Sequence, residues 1–163
     1  MSSDTLTTLA TLVGAKLKAR GMMLATAESC TGGWVAQAVT AIGGSSEWFE
    51  RGFVTYSDAA KQDMLGVSAD TLAAHGAVSE QTAREMAAGA LLHSRAQLAV
   101  AITGIAGPSG GTPEKPLGMV CFAWAARDGA PSAETRRFKG DRESVRRQSV
   151  IAALQGILKL LED

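Results

Sequence analysis

The chain has 163 residues, of which 46% are hydrophobic and 5% aromatic. That length suits one domain able to bury roughly 70% of its unfolded surface, so no disulfide or metal staple is required. The 16 Lys and Arg balance the 16 Asp and Glu, which removes any overall attraction to nucleic acid or anionic lipid and leaves only local patches.

The N-terminal stretch MSSDTLTTLATL is polar and acidic before it is apolar, unlike a signal peptide. Leu6, Leu9, Val13 and Leu17 then recur at helical spacing, with Asp4 placed to cap and Gly21 to stop. Met22 to Ala27 reads as a short buried strand, and Gly33 to Ile42 as a helix ended by Gly43 and Gly44. Phe49 to Tyr56 reads as a strand, followed by a helix capped by Ser57 or Asp58 and stopped near Gly66. Ser79 to Leu92 is a helix with Ser79 as its cap, and the apolar run Leu98 to Thr103 is a strand covered on both faces. Gly and Pro fill seven of the fourteen positions in "TGIAGPSGGTPEKP", 103–116, which must be a loop. Gly118 to Ala125 and Glu134 to Phe138 pair across a turn near Asp128 and Gly129. A last helix starts near Asp141 and buries Ile151, Leu154, Leu158 and Leu161. The alternation of helices and strands, with a hairpin near the end, predicts a three-layer α/β/α sandwich on a mixed sheet.

Cys30 and Cys121 lie far apart and fit a reducing cytoplasm. With His75 and His93 as the only histidines, no spacing suggests a zinc site. No apolar run approaches the roughly 20 residues of a membrane span.

Ligands in open α/β sheets bind beyond the carboxyl ends of the strands. Three segments are placed there: Ala27 to Gly33, Tyr56 to Lys61 and Thr103 to Gly111. In the first, "AESCTGG", Ser29 stands between a strand and a helix, where its hydroxyl is exposed for nucleophilic attack, or Ser29 and Thr31 merely cap the helix. Free N–H groups at the helix start favour an anion, and Glu28 is placed to orient a substrate or a lysine. In the second, Lys61 is either a surface lysine or a base. A free lysine with a pKa of about 10.4 is only about 0.04% neutral at pH 7, and lowering it to about 7.5 takes about 4 kcal/mol. A helix N-terminus offers about 0.3–1 kcal/mol of that, so desolvation must supply the rest. The third segment lacks the GK[ST] of a Walker loop and the G-x-G-x-x-G fingerprint; it either wraps a phosphate or sugar with backbone N–H groups or is a plain connecting loop, unusually long for one. The basic stretch "RRFKGDRESVRR", 136–147, is a solvated face or an anion site.

Taken together, "AESCTGG", "GFVTYSDAAKQDMLGV", "HGAVSEQTAREMA", "AITGIAGPSGGTPEKPLG" and "FKGDRESVR" resemble the CinA C-terminal domain family over residues 8–160. The resemblance implies hydrolysis of the carboxamide of nicotinamide mononucleotide to nicotinate mononucleotide and ammonia, with no metal or other cofactor. It implies catalysis by Ser29, Tyr56 and Lys61, Lys61 acting directly or through Tyr56. Substrate binding falls to Cys30, Thr31, Gly32, Gly33, Ser46, Thr103, Gly104, Ala106, Gly107 and Arg142. The implied setting is a cytoplasmic homo-oligomer, a dimer or trimer, engaging neither membrane nor nucleic acid. Asp58 replaces an Asn common in relatives and is expected to raise the pKa of Lys61. Cys30 is the rival nucleophile. A binding or competence- and damage-associated interaction module without turnover is the other function class, and the pyrophosphatase-like domain of larger members has no counterpart in this sequence.

Overall fold

In a computed structural model, which describes residues 2–162, five strands form one mixed sheet in the order β2-β1-β3-β4-β5. The strands are β1 (Leu24–Glu28), β2 (Phe49–Val54), β3 (Leu98–Gly104), β4 (Met119–Ala126) and β5 (Ser132–Arg137). β1 runs parallel to β2 and β3, and β4 runs antiparallel to β3 and β5. The helices are α1 (Ser2–Ala19), α2 (Trp34–Thr40), α3 (Asp58–Leu65), α4 (Ala69–His75), α5 (Glu80–Leu92) and α6 (Arg142–Leu160). The side chains of residues 2–4 lie outside the described residues, and the cap expected of Asp4 lies there with them.

Alternation along the strands gives the sheet two unlike faces. Leu98, Val100 and Ile102 from β3 join Val120, Phe122 and Trp124 from β4 on one face, under α1, α2 and α6. Ala99 and Ala101 join Ala25, Ala27, Cys121, Ala123 and Ala125 on the other, under α3 and α5. The small face lets α5 lie close. A Cβ on its Gly89 would come within 2.0 Å of the Leu65 carbonyl oxygen of α3. The predicted three-layer α/β/α sandwich on a mixed sheet is therefore the observed fold.

Two short elements were not foreseen: α4 and a 3-10 turn at Ser45–Glu47. Neither holds a buried residue, so neither leaves an apolar period in the sequence. The last helix starts where expected, but its buried stripe includes Val145, Val150, Ala153 and Ile157, while Ile151 and Leu158 are only half-buried. Among the described residues no helix is long and apolar enough to cross a membrane.

Strand register explains how distant segments meet. Glu28 at the end of β1 pairs with Val54 near the end of β2 and with Ile102 near the end of β3. Arg137, ending β5, pairs with Met119 at the start of β4, one position from the partner of Gly104. The residues that follow β1, β2, β3 and β5 consequently leave the sheet along one edge.

Candidate active site

At that edge lies a cleft of about 340 Å³, lined by Ser29, Cys30, Tyr56, Asp58, Lys61, Thr103 to Gly107 and Arg142, among others. Its volume is at the lower end of the range for small-molecule sites.

Lys61 enters from the first turn of α3, which begins because Ser57 accepts a hydrogen bond from the Ala60 N–H at 3.0 Å. Its amine lies 3.1 Å from Ser29 Oγ, 3.1 Å from the Thr55 carbonyl and 3.3 Å from the Tyr56 carbonyl. The lysine is only 1% exposed and has no carboxylate partner within ion-pair distance among the described residues. Burial holds its pKa below the ordinary value, while the charge of Asp58 pushes it back up. The effect expected of Asp58 is thus present. A neutral amine has two N–H donors and one lone pair. Two carbonyls can take the donors, which leaves the lone pair for the Ser29 hydroxyl.

Ser29 does not cap α2. The N-cap is Gly33, whose φ of 102° lies in the left-handed region and which has no side chain to cap with. Glu28, with 1% exposure, does that work. Its carboxyl accepts from Thr31 Oγ1 (2.6 Å) and from the N–H groups of Gly33 (3.2 Å), Val35 (2.9 Å) and Ala36 (3.0 Å). Two expectations are corrected by this. Glu28 points to the α2 face rather than to a substrate or Lys61, and the helix start holds the chain's own carboxyl group instead of an open anion site.

Cys30 packs in the large-residue core, and burial, the leading cause, pushes its thiol up to about 12. That direction works against the thiolate a cysteine nucleophile needs. Thr31 is buried and spends its hydroxyl on Glu28. The Gly32 N–H is spent on the Ser29 carbonyl. Thr103, also buried, donates its hydroxyl to the Ala77 carbonyl at 2.8 Å. Gly104 is packed against Val120, Met119 and Cys30, so tightly that a Cβ would meet the Val120 side chain at 2.7 Å.

Tyr56 and Arg142 form the opposite wall. The Tyr56 ring is 61% exposed, and its hydroxyl accepts from Arg142 Nη2 at 3.1 Å. Arg142 Nη1 donates to the Gly107 carbonyl at 2.7 Å. The Tyr56 backbone carbonyl, not its hydroxyl, is what meets Lys61 and Ser29, the latter at 3.4 Å. Ser46 is exposed in the 3-10 turn ahead of β2, at the other edge of the sheet, and does not line the cleft.

One residue was missed. Arg146 reaches from α6 to the turn after β1, donating from Nε to the Cys30 carbonyl (3.1 Å) and from Nη2 to the Thr31 carbonyl (3.0 Å). Its guanidinium also lies 5.5 Å from the Trp34 ring centroid. It closes the stretch "FKGDRESVR", four residues after Arg142 on the same helix, but nothing in that stretch tells it from a solvated arginine.

A nicotinamide-nucleotide amidohydrolase PncC of Escherichia coli (strain K12) is 57% identical over 155 residues, covering 95% of this chain and 94% of that protein. A protein of the same name from Pseudomonas putida is 51% identical, covering 96% and 98%. The crystal structure of the competence/damage inducible protein CihA from Agrobacterium tumefaciens superposes with a TM-score of 0.95 at 48% identity, covering 97% and 96%. The family model for the CinA C-terminal domain matches residues 6–161, and the chain belongs to that family.

Proposed function

We propose that this protein is a nicotinamide-nucleotide amidohydrolase that releases ammonia from nicotinamide mononucleotide through an acyl-serine intermediate. The observation that carries the reading is the 3.1 Å contact between a buried, carboxylate-free lysine amine and Ser29 Oγ. The substrate follows from the names of the relatives.

In this mechanism Ser29 Oγ attacks the carboxamide carbon while the Lys61 lone pair takes the hydroxyl proton. The developing oxyanion is met by backbone N–H groups of the turn after β1. Lys61, now an ammonium, returns its proton to the departing nitrogen, the C–N bond breaks, and ammonia leaves an ester on Ser29. Water attacks that ester, gives a proton to Lys61, and the ester bond breaks. The proton passes to Ser29 Oγ and nicotinate mononucleotide leaves. Lys61 acts directly, since its own amine lies 3.1 Å from Ser29 Oγ, whereas the Tyr56 hydroxyl sits against Arg142. Tyr56 and Arg142, with the loop from Thr103 to Gly107, would hold the ribose and phosphate at the mouth of the cleft.

The test is incubation with nicotinamide mononucleotide without added metal, assaying both products. Equimolar ammonia and nicotinate mononucleotide are expected. Tight binding of the nucleotide without ammonia release would replace this reading with a binding module.

A further inference from the structure

The turn from Ser29 to Gly33 has five backbone N–H groups, and three of them are spent. Ser29 donates to the Ile102 carbonyl at 2.9 Å, Gly32 to the Ser29 carbonyl at 3.1 Å and Gly33 to Glu28. Only Cys30 and Thr31 have an N–H with no hydrogen bond to another described residue. They are the two donors next to Ser29, and Cys30 lines the cleft.

Arg146 takes part in setting the direction of both donors. In a trans peptide the C=O and N–H point in opposite directions. Arg146 Nε holds the Cys30 carbonyl, so the N–H of the same peptide unit, that of Thr31, is aimed away from Arg146. Arg146 Nη2 and the Trp34 N–H, each at 3.0 Å, together hold the Thr31 carbonyl, whose peptide unit carries the Gly32 N–H. That N–H holds the Ser29 carbonyl, whose peptide unit carries the Cys30 N–H. Each arm of one guanidinium therefore ends, through one or two peptide planes, on one of the unspent donors. A chain of this kind also polarises in one sense, strengthening each N–H as a donor. Glu28 fixes the far end of the turn through Gly33, Val35 and Ala36. Trp34 supports the guanidinium from the side.

We propose that Arg146 is a positioning residue for the oxyanion site, setting the direction of the Cys30 and Thr31 N–H groups without touching substrate. The inference rests on the amidase reading above.

The experiment compares wild type, Arg146→Ala and Arg146→Lys on nicotinamide mononucleotide and on its thioamide counterpart. Sulfur accepts hydrogen bonds weakly, so an aligned oxyanion site shows as a preference for the amide. For Arg146→Ala, kcat is expected to fall by about 10- to 100-fold with KM little changed, and the amide preference is expected to shrink. Arg146→Lys, which keeps a cation but can hold fewer carbonyls, is expected to fall between them and carries the test if the alanine variant does not fold. A folded variant with wild-type kcat, or one whose kcat falls while the amide preference stays at the wild-type value, overturns the inference and leaves the amidase reading intact. A wild type that releases no ammonia overturns both.

Discussion

A lysine amine kept from water and given two carbonyls and a hydroxyl, but no carboxylate within ion-pair distance, is poised to lose its proton. The rising limb of kcat/KM against pH should therefore lie below the free-lysine value of about 10.4. Asp58→Asn removes the charge that pushes the lysine back up, so the limb should move to lower pH in a full pH–rate profile. The same shift bears on stability. Folding depresses the lysine pKa, so between the folded value and about 10.4 the unfolded chain holds more protons. Stability contributed by this group must rise with pH through that window, and the cost of the buried ammonium is felt in full below it. Thermal melts of wild type and Lys61→Met from neutral pH upward should show the wild type gaining on the variant as pH rises. Cys30→Ala is expected to keep activity within a few-fold in the ammonia assay, because its thiol at about 12 is not the attacking group.

The position of Lys61 depends on how closely α3 and α5 approach. Gly89 of α5 faces the Leu65 carbonyl of α3, and an added Cβ would meet that oxygen at 2.0 Å. Backbone cannot yield as a side-chain end can, so Gly89→Ala should push α3 outward. An overpacking cost of about 1–3 kcal/mol exceeds the gain of up to about 1 kcal/mol in helix propensity. A lower Tm together with a lower kcat is the expected result, since α3 carries the base. Helix α6 serves the other wall. Asp141 caps it by accepting from the Ser144 N–H at 2.9 Å, one residue before Arg142. Asp141→Ala should cost about 1 kcal/mol in denaturant unfolding and loosen the arm that bridges Tyr56 and Gly107.

For the molecule as a whole, strand register turns sequence-distant segments into one site. Much of this could be read beforehand, because β3 and α5 carry strong local signals: an unbroken apolar run, and a serine cap ahead of an Ala- and Met-rich stretch. The meeting of Ser29 and Lys61 followed from both lying just past strand ends on a sheet of this class. The function of Glu28 and Arg146 was not legible. A carboxyl beside a serine and an arginine in a basic run look the same in sequence whether they face solvent, substrate or a helix end. The face on which β1 presents Glu28, and the face of α6 that carries Arg146 to the turn after β1, decide it. Ser46 was carried by resemblance alone, and its place at the far edge of the sheet came from the pairing of Leu24 with Phe49.

Ammonia release from nicotinamide mononucleotide by Ser29→Ala, Lys61→Met and the double variant bears on this arrangement most directly. If the hydroxyl and the amine work as one unit, each single variant falls to a common floor, about 10³-fold or more below wild type, and the double variant falls no further. A folded Ser29→Ala protein that keeps the wild-type rate, or single losses that multiply in the double variant, would contradict it.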